Sequence, residues 1–235
     1  VKPHVICHML SPLDGRLLVD RWAPEGSALR DAVIGEYEEL HKTFDADAWI
    51  AGTNTMEEFA TGKPSAAPSN GPAPERPWHL ADPTARRFAI AIDRQARLHW
   101  DKPVADNGHV VVVLASSVSD DHLAELTAGG ISYLVMASEE IDLAEMLAQL
   151  YARLDIRKVL LEGGAKLDGA FLEAGLVDEI SLLLCPAIDG QTGGPAIFEA
   201  GDKSLGQSLA LSLADVKKME SGAVHLRYDV KKRAA

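Results

Sequence analysis

Apolar residues recur along this chain in two rhythms. Short apolar, β-rich runs occupy residues 4–10, 48–51, 88–92, 110–114, 131–136, 158–161 and 179–184. Between several of them the spacing changes to that of a helix. Leu29, Val33, Tyr37, Leu40 and Phe44 share one face over 28–44, behind Ser27 as a candidate N-cap. Ile141, Ala144, Leu147, Leu150, Tyr151 and Leu154 do the same over 141–154. Ser119, followed by Asp120 and Asp121, predicts a short helix that ends at Gly129-Gly130. Another is expected over 165–174, stopped by Gly175. A short helix capped by Thr53 or Asn54 fades near Thr61. Two last β-rich segments, 208–213 and 223–230, close the chain with no helix between them.

Strand–helix alternation predicts an α/β fold with a largely parallel sheet and helices on both faces. The closing strands predict an antiparallel edge. Residues 61–77 are rich in Pro, Ser, Ala and Gly and read as an exposed loop. The same pattern continues on both sides of it, so the expectation is one domain over 1–235.

Composition narrows the function classes. Hydrophobic residues make up 47% and charged residues 25% of 235, ordinary values for a chain that buries a core without metal or disulfide. The net charge of −12 argues against a nucleic-acid or anionic-membrane surface. A small anion held on backbone N–H groups remains compatible with it. Cys7 and Cys185 sit in apolar runs and read as buried thiols in a reducing compartment. The eight histidines show no metal spacing, so no metal is expected. No apolar run approaches the roughly 20 residues of a membrane span, and no signal-peptide pattern opens the chain. A cytoplasmic protein is the expectation.

The segment 159–167, Val-Leu-Leu-Glu-Gly-Gly-Ala-Lys-Leu, is the most informative. A buried strand runs into two glycines and a helix start, where a backbone can approach a pyrophosphate closely. A plain tight turn is the other reading. The three-glycine spacing of a Rossmann fingerprint is absent. Glu162 ends the strand, on the side where open α/β sheets bind ligands. It is either a substrate-contacting carboxylate or a helix cap. Gly52-Thr53-Asn54-Thr55 forms a second strand–glycine–helix junction. Ser11 to Gly15 comes after the first strand and contains the turn pair Asp14-Gly15. Trp22, in the loop beyond, either covers a planar ring or packs on the protein. His8 reads as a satisfied core residue.

Taken together and in this order, these segments resemble the reductase domain of riboflavin biosynthesis, the C-terminal half of the bacterial bifunctional deaminase-reductase. The resemblance runs from about Pro3 to Tyr228. It is carried by Leu161 to Ala165, by Gly175 to Ile180 ending at Pro186 and Gly190, and by Ser11 to Gly15 and Asp47 to Gly52 with Thr55. It implies a three-layer dihydrofolate-reductase-like fold, NADPH as cofactor, a small-molecule substrate and a homodimer. By position, Ser11, Trp22, Gly52 and Thr55 match cofactor residues. Gly164 through Ala170 match the loop and helix start that hold the cofactor phosphates, with Gly163, Gly164, Ala165, Lys166 and Leu167 the candidate binding residues. Glu162 matches a substrate-contacting carboxylate, and Asp14 and Glu162 are the acidic candidates for the proton, alongside water. Two family elements that hold a ribosyl phosphate differ here. The usual arginine near the end of the first long helix is replaced by the stretch His41-Lys42-Thr43, and the Asp-Asp/Asn-Pro-x-Leu-Thr segment by Glu57 to Thr61. The substrate is therefore open between the ribosylated pyrimidine of the pathway and another small heterocycle or carbonyl compound. A dimeric nucleotide-binding protein without turnover is the non-enzyme alternative. Arg94 is a candidate for the cofactor 2′-phosphate.

Overall fold

The β-rich runs become strands and the 3.6-residue patterns become helices in a computed structural model, which describes residues 1–64, 73–202 and 204–232. In chain order the elements are β1 (His4–Pro12), α1 (Val19–Trp22), α2 (Ala28–Thr43), β2 (Ala48–Gly52), α3 (Thr53–Met56), β3 (Trp78–His79), β4 (Phe88–Ile92), β5 (Val104–Ala105) and β6 (Gly108–Leu114). They continue as α4 (Asp120–Ala128), β7 (Ser132–Val135), α5 (Leu143–Leu154), β8 (Lys158–Leu161), α6 (Ala165–Glu173), β9 (Glu179–Cys185), β10 (Leu209–Lys218) and β11 (Val224–Lys232). Residues 65–72 of the expected 61–77 loop lie outside the described residues. No helix among the described residues is long and apolar enough to cross a membrane.

The described residues group into two compact units. The first joins Val1–Pro3 to Asp47–Arg157; the second joins His4–Ala46 to the residues from Lys158 onward. In the first, the strand order is β2-β4-β6-β7-β3, with β5 on β6. The β2, β4, β6 and β7 pairings are parallel, and β4 and β6 are buried along their whole length. A parallel strand covered on both faces has no solvent side, so continuous Phe-Ala-Ile-Ala-Ile and Val-Val-Val-Val runs suit it. In the second unit the order is β10-β11-β9-β1-β8. Here β1 is parallel to β8 and β9, while β11 and β10 are antiparallel, as the closing strands predict. Trp22, Ala23, Val33, Leu40, Leu183, Cys185 and Ala223 form its core under α2.

Several boundaries differ from expectation for local reasons. The N-cap of α3 is Gly52, with no side-chain cap, rather than Thr53 or Asn54. The Thr53 hydroxyl instead donates to Ile92 O at 3.1 Å and lies 3.3 Å from Asp93 Oδ1. Asp93 is fully buried and needs donors. Helix α3 is also shorter than expected, continuing only as turns to Ala60. Asp142 caps α5 by accepting the Ala144 and Glu145 N–H groups, which leaves Ile141 outside the helix. Its buried face is Met146, Leu147 and Leu150, and Ala144 is exposed. Strand β10 runs on to Lys218 because it pairs with β11 along its length through a bulge near Asp215.

A polar chain crosses three strands of the second unit. His8 is fully buried on β1, with Nδ1 3.0 Å from Ser181 Oγ on β9 and Nε2 3.2 Å from the Tyr37 carbonyl on α2. Ser181 Oγ is also 2.8 Å from His225 Nε2 on β11. The His8 ring stacks on Tyr37 at 4.2 Å. The reading of His8 as a satisfied core residue holds, and burial pushes its pKa down to about 4.

Candidate active site

The end of β8 delivers the chain to a helix start with no side chain in the way. Gly163 has φ +92°, a conformation that favours glycine. Gly164 is the N-cap of α6, has no side-chain cap, and is joined to Gly163 by a cis peptide bond. A Cβ built on Gly164 would meet nothing nearer than Leu17 Cδ2 at 3.9 Å. Protein packing therefore does not demand glycine there, and the space is left for something else. Five residues on, a Cβ on Gly169 would lie 2.0 Å from Glu199 O. That glycine is required by the fold. An uncapped helix N-terminus with open space in front fits a phosphate group.

Glu162, immediately before the two glycines, is held by α2. Its Oε1 is 2.8 Å from His41 Nδ1, and the two side chains are 12% and 25% exposed. The pair is thus largely desolvated but still reachable from solvent. His41 falls four residues, one helical turn, after Tyr37, so the two lie on one face of α2. Burial first, and the Glu162 charge second, push the Tyr37 hydroxyl well above its usual pKa.

A second carboxylate lies behind the glycines. Asp168, in the first turn of α6, is fully buried, and neither of its oxygens has a partner in full hydrogen-bond geometry. Burial pushes its pKa up to about 8, with Glu162 adding to the effect; the nearby Gly163 N–H and Cys7 thiol act in the opposite sense. Asp168 is therefore a neutral acid through most of the physiological range. Burial, and then the Asp168 and Glu162 charges, likewise raise the Cys7 thiol.

The other sequence-predicted residues fall into different settings. Ala165, Lys166 and Leu167 open α6 beside Gly163 and Gly164, as their contiguity requires. Lys166 is exposed and lines a cavity of about 750 Å³ with Phe198, Glu199 and Leu205, on a part of α6 away from Glu162. Ser11 is buried on β1 and its hydroxyl donates to Pro12 O at 3.0 Å. Asp14 accepts the N–H groups of Asp189 at 3.1 Å and Gly190 at 2.8 Å, tying its turn to the segment after β9. These bonds, that of Gly190 foremost, hold its carboxyl below the usual range. Trp22 belongs to the short helix α1 rather than a loop, and is 6% exposed in the core under α2. Gly52 and Thr55 are half-buried at the β2–α3 junction of the first unit. Arg94 pairs with Glu140 at 3.0 Å on the surface. Asp168 and Tyr37 were not singled out by sequence. Asp168 carried one signal, an acid in the first turn of a helix that a glycine opens.

Residues 3–225 match the model of the RibD C-terminal domain. The chain belongs to the RibD C-terminal domain family. The chain is similar to the 2,5-diamino-6-ribosylamino-4(3H)-pyrimidinone 5′-phosphate reductase of Methanothermobacter thermautotrophicus, 26% identical over 81% of both chains. The enzyme of the same name from Aquifex aeolicus is 25% identical over 90% of both. Against the RibD protein of Bacillus amyloliquefaciens, 23% identical, the chain spans 49% of the relative's length. Among solved structures, a pyrimidine reductase-like protein of Corynebacterium diphtheriae has the same fold. It superposes with a TM-score of 0.71 at 18% identity, over 98% of this chain and 93% of that one. The fold is therefore the dihydrofolate-reductase-like one that the resemblance implied. Membership of this reductase family implies an oxidoreductase that uses a nicotinamide cofactor.

Proposed function

We propose that this chain is a single reductase domain that uses NADPH to reduce a ribosylamino-pyrimidine 5′-phosphate in riboflavin biosynthesis. The observation that carries the reading is the β8–α6 junction, where a half-buried carboxylate stands beside an uncapped helix N-terminus with open space at Gly164. NADPH, when bound, would supply the hydride for reduction of the sugar carbon. The residues Gly164, Ala165 and Lys166 would present backbone N–H groups to its phosphates, while the Leu167 N–H donates to Gly164 O at 2.8 Å and closes the first turn behind them. Glu162 accepts hydrogen bonds from N–H groups of the pyrimidine, and His41 fixes the carboxylate in place. His41 also stands near the helix end where the pathway enzymes carry an arginine.

Reduction of a carbonyl needs a proton. Asp14 is held as a carboxylate by two backbone N–H groups and is unsuited to give it at neutral pH. The Glu162–His41 pair is placed to relay one from water. Ser11, Trp22, Gly52 and Thr55 remain cofactor positions by resemblance; for Trp22 that role requires it to leave the core under α2.

The homodimer has support in the β10–β11 hairpin. Leu211, Leu213 and Val216 on β10 are each more than half exposed. Their partners in register are Val230, Tyr228 and Leu226, so one side of the hairpin is an apolar surface. Two buried free thiols are in keeping with a cytoplasmic protein.

The test mixes the protein with NADPH and the ribosylamino-pyrimidine phosphate and monitors nicotinamide absorbance. Rapid oxidation that Glu162→Ala abolishes supports the reading. NADPH binding without oxidation rejects this substrate. The second reading, a reductase of another small heterocycle or carbonyl compound, is favoured by His41 in place of arginine; oxidation of NADPH by such compounds alone would establish it.

A further inference from the structure

The first unit assembles a cluster that the reductase reading does not use. His99 lies between β4 and β5, while His122 and Glu125 lie three residues apart on α4. One ligand atom from each lies within 4.8 Å of the other two. His99 Nδ1 is 2.6 Å from Glu125 Oε1. The His99 and His122 rings stand edge to face at 5.5 Å. His122 is 8% exposed, and its Nε2 is buried without a hydrogen-bond partner among the described residues. A buried ring nitrogen without a partner is costly and asks for an explanation.

The three side chains are held from behind. Ser119 Oγ accepts the His122 N–H at 3.2 Å, fixing the start of α4. The buried Asp93 accepts the Leu98 N–H at 2.7 Å, which sets the approach to His99. The Gly62 N–H donates to His99 O at 2.9 Å from the other side.

We propose that His99, His122 and Glu125 form a binding site for a divalent transition-metal ion, with zinc the best match. Two imidazoles and one carboxylate are a zinc donor set with a fourth position for water. Calcium and magnesium take oxygen ligands and are disfavoured by it. Bonds of about 2.0–2.1 Å in a tetrahedral site put ligand atoms roughly 3.3 Å apart. His99 Nδ1 and Glu125 Oε1 are 2.6 Å apart, and all three ligand atoms lie within 4.8 Å of one another, so small side-chain adjustments reach that spacing. Binding would open the His99–Glu125 contact slightly. The ion would join α4 to the segment around His99, and through the Gly62 bond to the chain after α3. Its role there is to stiffen the unit. Sequence spacing gave no hint of it, because His99 stands 23 residues before His122 and only the fold brings them together.

The untagged protein, stripped with a chelator, is titrated with Zn²⁺ by calorimetry and with Co²⁺ by visible absorption. One equivalent per chain, tetrahedral Co²⁺ bands and a higher Tm with Zn²⁺ are expected. His99→Ala and Glu125→Gln each weaken binding on the order of 100-fold. Both are partly exposed, so their replacement tests the site without emptying the buried His122 position. Glu162→Ala leaves metal binding unchanged, which separates this site from the reductase reading. Absence of stoichiometric binding, or binding that survives the His99→Ala/Glu125→Gln pair, overturns the proposal.

Discussion

The chain makes two junctions of the same kind, a buried parallel strand, a glycine N-cap and a helix without a side-chain cap, and they behave differently. At β2–α3 the first helical residue turns inward. The Thr53 hydroxyl serves Ile92 O and Asp93, and the helix ends after Met56. At β8–α6 a longer helix opens behind two glycines, with Glu162 in front and Asp168 behind. One junction turns its first side-chain hydroxyl onto the protein; the other keeps a carboxylate, held by His41, in front of its helix start. A strand–glycine–helix pattern is therefore no evidence of a site until the destination of its polar groups is known.

Substitutions should separate the two junctions, and the largest effects belong to β8–α6. On the proposed reading, Glu162→Ala removes a hydrogen-bonding carboxylate from the substrate and should lower kcat/KM by about 100-fold. On the same reading, Gly164→Val should raise the Kd of NADPH by on the order of 100-fold, with little change in Tm, because its side chain enters the open space before α6. Titration of NADPH by fluorescence reads the second. A Tm collapse with unaltered affinity in the folded fraction would move Gly164 from the ligand to the fold.

Gly169→Ala is the control inside the same helix. Its methyl group would meet the Glu199 backbone, so a loss of roughly 2 kcal/mol of stability is expected. For a chain of this length that is a fall in Tm of about 4–8 °C. NADPH affinity of the folded protein should change far less than in Gly164→Val.

Asp168 gives a pH-dependent effect of known sign. Its folded pKa is raised to about 8 from 3.8, so the folded state binds the extra proton. Its contribution to stability is then highest at and below about pH 4, falls as pH rises through the window from about 4 to about 8, and levels off above it. Asp168→Asn cannot ionise and should lack this loss. A gain on the order of 2 kcal/mol at pH 8 over pH 5, relative to wild type, is expected in urea unfolding; relaxation around the buried charge keeps it below the full shift. Equal pH profiles for both proteins would show that Asp168 ionises without penalty.

The smallest effect should be at the other junction. Thr53→Val removes the hydroxyl that serves Ile92 O and Asp93, at a cost of about 1 kcal/mol in stability and no large change in NADPH affinity.

The alternation of strands and helices was legible because parallel strands and amphipathic helices impose different apolar periods over many residues. Short pieces such as α1, β3 and β5 were not, since two to four residues carry no period. At the site, the glycines and Glu162 were visible as a contiguous string. The His41 contact to Glu162 was not, because 121 residues separate them. Trp22 shows the same limit from the other side: aromatic character says that a ring will be covered, and only the fold says that α2 covers it. The turn at Asp14 was legible, but not its closure onto Asp189 and Gly190, 175 and 176 residues away.

The polar chain through β1, β9 and β11 also has a direction. Burial lowers the pKa of both His8 and His225, so both rings are neutral at physiological pH and each carries one N–H. The Tyr37 carbonyl can only accept, which places the His8 proton on Nε2. His8 Nδ1 is then an acceptor and takes the single Ser181 hydroxyl proton, so Ser181 Oγ must accept from His225 Nε2. One carbonyl on α2 thereby selects the tautomer of a histidine two strands away, and the sheet carries a row of hydrogens all pointing from β11 toward the helix.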